Sequence, residues 1–247
     1  MGVKTETGFT IIEVMLFLGV TGLLVIGVLV GSGVAIGQQR YRDSVNSLKS
    51  YLQQQYSEVA NVINGRPGTW ACDTGAGVSD SETGGGQARG TSDCVILGRY
   101  VTIDETGTKL TASNVTGYRT PGAADANSDI TELTTNYKLG VSPIDQDVAE
   151  VSWGAQVVKP KTTSPMPFSI LIIRSPLSGS TLTFSQEGIP TNVSSLITSG
   201  NMSANRDLCV NADAGTFVGK RMEVQIAPYS ASQSGIQVPL ESASVCD

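Results

Sequence analysis

The chain has 247 residues, of which 40% are hydrophobic, 15% charged and 6% aromatic, with four Cys and no His. Sixteen Lys+Arg against 22 Asp+Glu give a net charge of −6, which argues against a general nucleic-acid binder. The missing His removes the Ser-His-Asp and Cys-His nucleophile pairs and, with them, most zinc sites.

The first element is a run from Val14 to Ile36: 23 residues without a charge, of which 16 are apolar and five are Gly, the others being Thr21 and Ser32. As a helix it would extend about 35 Å, enough for a hydrocarbon core of about 30 Å. A core helix apolar all round would need protein on every side, so a membrane span is expected. A secretory signal peptide has a shorter apolar stretch, about 7–15 residues, followed by a small-residue cleavage site. Neither feature is present here. Charge does not settle the orientation. Lys4 in the leader is balanced by Glu6, while Arg40, Arg42 and Lys49 follow the span and alone would favour a cytoplasmic C-terminal side.

Gly8-Phe9-Thr10-Ile11-Ile12-Glu13 and the run behind it resemble the class III leader junction of type IV prepilins and type II secretion pseudopilins. The resemblance covers roughly residues 8–30. It implies cleavage between Gly8 and Phe9 by a prepilin peptidase, N-methylation of Phe9, and a role for Glu13 in subunit assembly. It also implies a single-pass protein with a cytoplasmic leader and everything after Ile36 outside. Assembly would then run through an inner-membrane platform into an extracellular or periplasmic filament with other copies or other pilins. A carboxylate inside a span costs about 2.5–3.5 kcal/mol at the helix centre. The α-amine of Phe9 on a neighbouring subunit would offset that cost, whereas an idle Glu13 would snorkel to water. Gly19, Gly22, Gly27, Gly31, Gly33 and Gly37 each cost a helix about 0.5–1 kcal/mol relative to Ala. They suit close helix packing or, as in some members of that family, melting within Gly19–Gly33 during assembly.

Beyond Gly37 the apolar residues Tyr41, Val45, Leu48, Leu52, Val59 and Ile63 follow helical spacing, with Gln55 and Tyr56 filling the gap. Asn64-Gly65-Arg66-Pro67-Gly68 supplies the stop. One helix over 9–63 is therefore expected, with 9–37 as the transmembrane or filament-core part and 38–63 as an amphipathic stalk. A free coiled coil is disfavoured by the short stripe and the Gln at its seam. Residues 1–8 form the leader and 64–247 the outer domain.

The outer domain is rich in Ser, Thr, Gly and Val. Asp73–Asp93 holds six Gly in 21 residues and reads as an exposed loop, and Gly84-Gly85-Gly86 lacks the Lys-Ser/Thr of a phosphate loop. Expected strands are Val95–Ile103, Leu133–Leu139, Val148–Val158, Phe168–Arg174, Thr181–Ser185, Leu208–Asn211, Met222–Ala227 and Ile236–Leu240. The nearly continuous apolar run Phe168–Ile173 predicts a central strand buried on both faces, and Pro176–Ser180 predicts a hairpin. The fold class is therefore α+β: a long N-terminal helix packed on an antiparallel, two-sheet C-terminal domain, as the pilin resemblance also implies. The stretch from Met166 onward is faintly similar to H-type minor pseudopilins and related minor pilins. Some of those bind DNA through basic residues, and Arg206, Lys220 and Arg221 are the positions that would correspond. A solvated turn is the competing reading.

Cys72, Cys94, Cys209 and Cys246 all fall on the side assigned to the exterior, where disulfides persist. Three pairings are open. Shorter closure favours Cys72–Cys94 and Cys209–Cys246. No metal site or cofactor is expected. Asp125-Ala126-Asn127-Ser128-Asp129 opens like a calcium loop but continues with Ile130 and Asn136 where Gly and Glu are needed. Asn114, Asn192 and Asn201 begin glycosylation triplets that a Ser/Thr-rich chain produces freely. Ser-Lys catalysis has no Ser-x-x-Lys in the outer domain, and Ser47-Leu48-Lys49 has the wrong spacing. The sequence thus favours a structural filament subunit over an enzyme, with a tip adhesin or DNA receptor as the alternative.

Overall fold

A computed structural model describes residues 10–62, 65, 68–80, 86–87, 90–212, 220–239 and 245–246. The expected long helix forms as α1 (Ile11–Ala60), 50 residues without a break. Thr10 caps it: its backbone is extended and its Oγ1 accepts from the Glu13 N–H. The helix ends at Ala60, where Asn61 leaves helical geometry and turns both its N–H and its side-chain amide onto the Ser57 carbonyl; Ile63, the expected last residue, lies outside the described residues.

Burial divides α1 into two regimes. From Ile11 to Arg40 it is exposed, apart from half-buried Thr21 and Gly37. From Tyr41 onward Tyr41, Ser44, Val45, Leu48, Leu52, Gln55, Tyr56 and Val59 are buried, which is the expected stripe. Among the described residues, α1 is one helix long and apolar enough to cross a membrane, and its most apolar stretch is wholly uncovered by the rest of the chain.

The outer domain has twelve strands among the described residues: β1 (Trp70–Cys72), β2 (Val78–Asp80), β3 (Cys94–Ile103), β4 (Lys109–Arg119), β5 (Tyr137–Val141), β6 (Asp147–Glu150), β7 (Gln156–Val158), β8 (Phe168–Arg174), β9 (Thr181–Glu187), β10 (Arg206–Asn211), β11 (Met222–Ile226) and β12 (Ile236–Gln237). All pairings are antiparallel. One sheet has the order β5-β4-β3-β8-β9, with β6 also on β4; the second has the order β12-β11-β10-β7; β1 and β2 form a separate hairpin.

The stalk half of α1 shares one core with both sheets. Val45, Leu48 and Leu52 meet Val101, Ile103, Ile170 and Ile172 of the first sheet and Leu208, Val224 and Ile226 of the second. The other face of the first sheet forms a second core, where Leu171, Ile173 and Phe184 pack with Leu133, Val193 and Leu196. Successive residues of β8 thus point into different cores, which explains the unbroken apolar run Phe168–Ile173.

Five expectations need correction. The stretch Leu133–Leu139 is not one strand: a π-helical turn over Glu132–Asn136 precedes β5, because Glu132 is buried and accepts from the Ala126 N–H and the Asn136 amide. The expected Val148–Val158 strand is broken into β6 and β7 by a 3₁₀ turn at Ser152–Gly154. The Gly-rich loop is partly structured, since β2 pairs with β1 inside it and Ala76 is fully buried against the β4–β5 pair. Strand β4 was not expected at all; its buried Ala112, Ser113, Asn114 and Gly117 interrupt the apolar signal of Leu110 and Val115, although it is a central strand. The last strand, β12, ends at Gln237 rather than reaching Leu240.

Candidate functional site

The uncovered half of α1 satisfies its own polar groups as a lipid environment demands. The Thr21 hydroxyl donates to the Phe17 carbonyl at 2.8 Å and the Ser32 hydroxyl to Leu29 at 3.0 Å. Every other side chain from Val14 to Ile36 is apolar or Gly. A Cβ placed on Gly19, Gly22, Gly27, Gly31 or Gly33 would meet nothing within 4 Å, so nothing inside the chain requires those glycines.

Glu13 lies in the first turn of this half and is exposed. A carboxylate there benefits from the unpaired N–H groups of the helix start. No cation forms an ion pair with it among the described residues. Gly8 and Phe9, the expected cleavage and methylation positions, lie outside the described residues.

Among the contacts that tie the helix to the outer domain, two mark its ends. At the lower end, the buried Tyr41 hydroxyl donates to the Val210 carbonyl at 2.8 Å and accepts from the Met222 N–H at 2.6 Å. At the upper end, Arg99 of β3 is buried on the stalk-facing side of the sheet. Its Nε donates to Gln55 Oε1 at 3.1 Å, one terminal nitrogen donates to Asn114 Oδ1 at 3.0 Å and to the Asp145 carbonyl at 3.3 Å, and the other pairs with Glu58 at 2.9 Å. A cleft of about 390 Å³ beside it is lined by Glu58, Asn61, Arg99, Asn114, Asp145, Gln146 and Asp147. The guanidinium facing that cleft is already occupied by protein acceptors. Arg99 had no assigned role in the sequence. The available signal was a lone Arg inside an apolar strand matched by a lone Gln at the seam of the stalk stripe.

Disulfides join Cys72 to Cys94 and Cys209 to Cys246, the pairing favoured by short closure. The second is buried between β10 and the C-terminal segment, and the Glu223 carboxyl lies 3.3 Å from Cys246 Sγ. Burial, assisted by the negative charge of Asp207, pushes the Glu223 carboxyl above its usual range. Cys209, Glu223 and Cys246 bring three potential ligand atoms within 4.8 Å of one another, but both sulfurs are spent in the disulfide.

The remaining sequence candidates have structural occupations. Arg206 donates to the Ser185 carbonyl, and Arg221 donates to the Thr162 and Cys246 carbonyls, while Lys220 is exposed. Arg206 pairs with Ile226 and Val210 with Met222, so Arg206 and the Lys220-Arg221 pair sit at opposite ends of the β10–β11 ladder. The three are not brought together as a basic patch. In the calcium-like loop, Asp125 pairs with Arg119, and Asp129 accepts from the Ser175 and Ser178 hydroxyls. Of the triplet asparagines, Asn114 is buried on Arg99, Asn192 caps a 3₁₀ turn, and Asn201 donates to Gln186 and Leu196. No known family model, curated protein or solved structure matches this chain.

Proposed function

We propose that the chain is a pilin-like structural subunit. It is cut after Gly8 by a prepilin peptidase, methylated at Phe9, held in the membrane by residues 14–36 with its outer domain outside, and then built into a type IV pilus or related pseudopilus. The observation that carries this reading is the uncovered half of α1. Its 23 uncharged residues find no partner among the described residues of the outer domain and begin immediately after one exposed acid, Glu13. Apolar area of that extent demands lipid or other helices. In lipid it anchors the subunit; in a filament the same surface packs against neighbouring copies, and the Glu13 carboxylate pairs with the freed Phe9 amine of the next subunit. Head-to-tail contacts of this kind do not close and so generate helical filaments. The β-domain then forms the filament surface.

Co-expression with and without a prepilin peptidase tests the reading. Wild-type chain loses its first eight residues only when the peptidase is present, and Gly8→Ala blocks the cut. Processing of Gly8→Ala at the same bond would refute the leader assignment. Glu13→Ala is processed but enters filaments poorly; incorporation at wild-type levels would remove the pairing role alone.

A further inference from the structure

Trp153 is held in a conformation that non-Gly residues avoid, with φ 60° and ψ 32°, at the tip of the 3₁₀ turn between β6 and β7. Such a backbone is strained and persists where its surroundings enforce it. The result is an indole 57% exposed to solvent with the Arg40 guanidinium stacked 5.0 Å from the ring centroid. Arg40 makes no ion pair among the described residues, although Asp43 lies one turn above it. Arg40 is four residues beyond Ile36, the last residue of the apolar run, and therefore about 6 Å farther along the helix axis. A bilayer of about 40–45 Å around a core of about 30 Å leaves a headgroup layer of about 5–8 Å on each side. Arg40 and Trp153 fall at that depth.

Lys220 belongs to the same rim. Strand β11 begins at Met222, whose N–H bonds Tyr41, and ends at Ile226, paired with Ile236, whose carbonyl receives the Gln53 amide. The strand thus climbs away from the span, and exposed Lys220 sits below its lower end. We infer that Trp153, Arg40 and Lys220 form an interfacial seat for anionic lipid headgroups at the base of the outer domain. The indole takes the depth that amphipathic aromatics favour, and the two cations meet lipid phosphates. Cations without an ion pair among the described residues, on a chain of net charge −6, are the feature that selects anionic over zwitterionic lipid. This inference rests on the membrane-span reading of residues 14–36.

The test uses the full chain in nanodiscs. The sequence has two Trp, so Trp70→Phe leaves Trp153 as the sole fluorophore, and the wild-type minus Trp153→Phe difference gives the same signal if that variant misfolds. Quenching by phosphatidylglycerol brominated near its headgroup end is compared with equally brominated phosphatidylcholine at equal mole fraction. The anionic lipid is expected to quench several-fold more. Arg40→Gln and Lys220→Gln should each cut the preference, by up to about five-fold per cation removed, and high salt should abolish it. Retention of the chain in the disc with Trp153 quenched by aqueous acrylamide and by neither lipid would overturn this inference alone. Equal quenching by the two lipids would do the same. Loss of the chain from the disc on alkaline washing would overturn the membrane reading and this inference with it.

Discussion

Replacing Arg99 with Met keeps the length of the side chain but removes the donors that bond Gln55, Asn114 and Asp145 and pair with Glu58. Gln55 has no exposure and Asn114 is 9% exposed, so Gln55 Oε1 loses its partner with no access to water. An orphaned buried acceptor costs about 1–3 kcal/mol. Breaking a fully buried ion pair costs about 3–5 kcal/mol, but the Glu58 side chain is 34% exposed and recovers solvation by turning outward. The expected loss is therefore about 3 kcal/mol, which at about 2–4 °C per kcal/mol for a chain of this size lowers Tm by about 6–12 °C. Thermal unfolding of the full chain in detergent micelles, followed by near-ultraviolet circular dichroism, reads it directly. Glu58→Gln should cost no more than about 1 kcal/mol. Adding Gln55→Leu to Arg99→Met should recover part of the loss, since removing both partners relieves the unpaired acceptor. A Tm change under about 2 °C for Arg99→Met, or strict additivity in the pair, would refute the claim that this network joins helix to sheet.

Two carboxyls give pH dependences of opposite sign. The folded pKa of Glu223 is raised, so its contribution is complete below the unfolded pKa and is lost as pH rises through the folded value. Glu223→Gln should match wild type in acid and exceed it in stability at neutral pH, measured as the urea midpoint against pH. For Asp104, burial pulls upward, but bonds donated by the Thr106 hydroxyl and by the Lys109, Thr108 and Thr106 N–H groups outweigh it and hold the carboxyl below its usual range. That stabilisation is present above the unfolded pKa and disappears as pH falls through the folded one; Asp104→Asn should cost about 1 kcal/mol at neutral pH and nothing in strong acid. The disulfides separate by access: Cys72 and Cys94 are half-buried, while Cys209 and Cys246 are buried. Mild thiol reductant on the native chain should open Cys72–Cys94 first, as peptide mapping after alkylation would show. Replacing Cys209 and Cys246 by Ala should cost about 3–4 kcal/mol by loop entropy alone.

What could be read from the sequence follows from how strongly each element's period is expressed. The stalk stripe and strand β8 carry large apolar side chains at buried positions, and both were legible almost to the residue. Strand β4 was not, because β3, β5 and β6 flank it and its buried positions hold Ala112, Ser113, Asn114 and Gly117. A Cβ on Gly117 would run into the Leu97 and Tyr137 side chains. The π-helical turn at Glu132–Asn136 was hidden for another reason: its Thr134-Thr135 pair has strand propensity, and the buried hydrogen bonds of Glu132 overrule it. Glu13 was legible because it is the one charge at the edge of an uncharged run. Arg99 and Trp153 were not, since their roles depend on partners 44 and 113 residues away in the chain.

The division at Tyr41 also decides what a substitution can report. Side chains from Val14 to Ile36 make no contribution to the cores of the outer domain, so changes there leave its packing untouched. The five span glycines sharpen this point. Each lowers helix stability by about 0.5–1 kcal/mol, yet none is needed for any contact within the chain. A sequence that only had to cross a bilayer would gain from Ala at every one of them. Under the filament reading proposed above, their use lies between chains, in close approach of neighbouring helices or in unwinding on assembly. The stalk half shows the opposite economy. Tyr41, Gln55 and Tyr56 are buried polar residues that each bond the outer domain, and they fix where the helix sits on it. One continuous helix thus carries a rigidly docked half and an undocked half. The docked half sets how the undocked half is presented to whatever surrounds it.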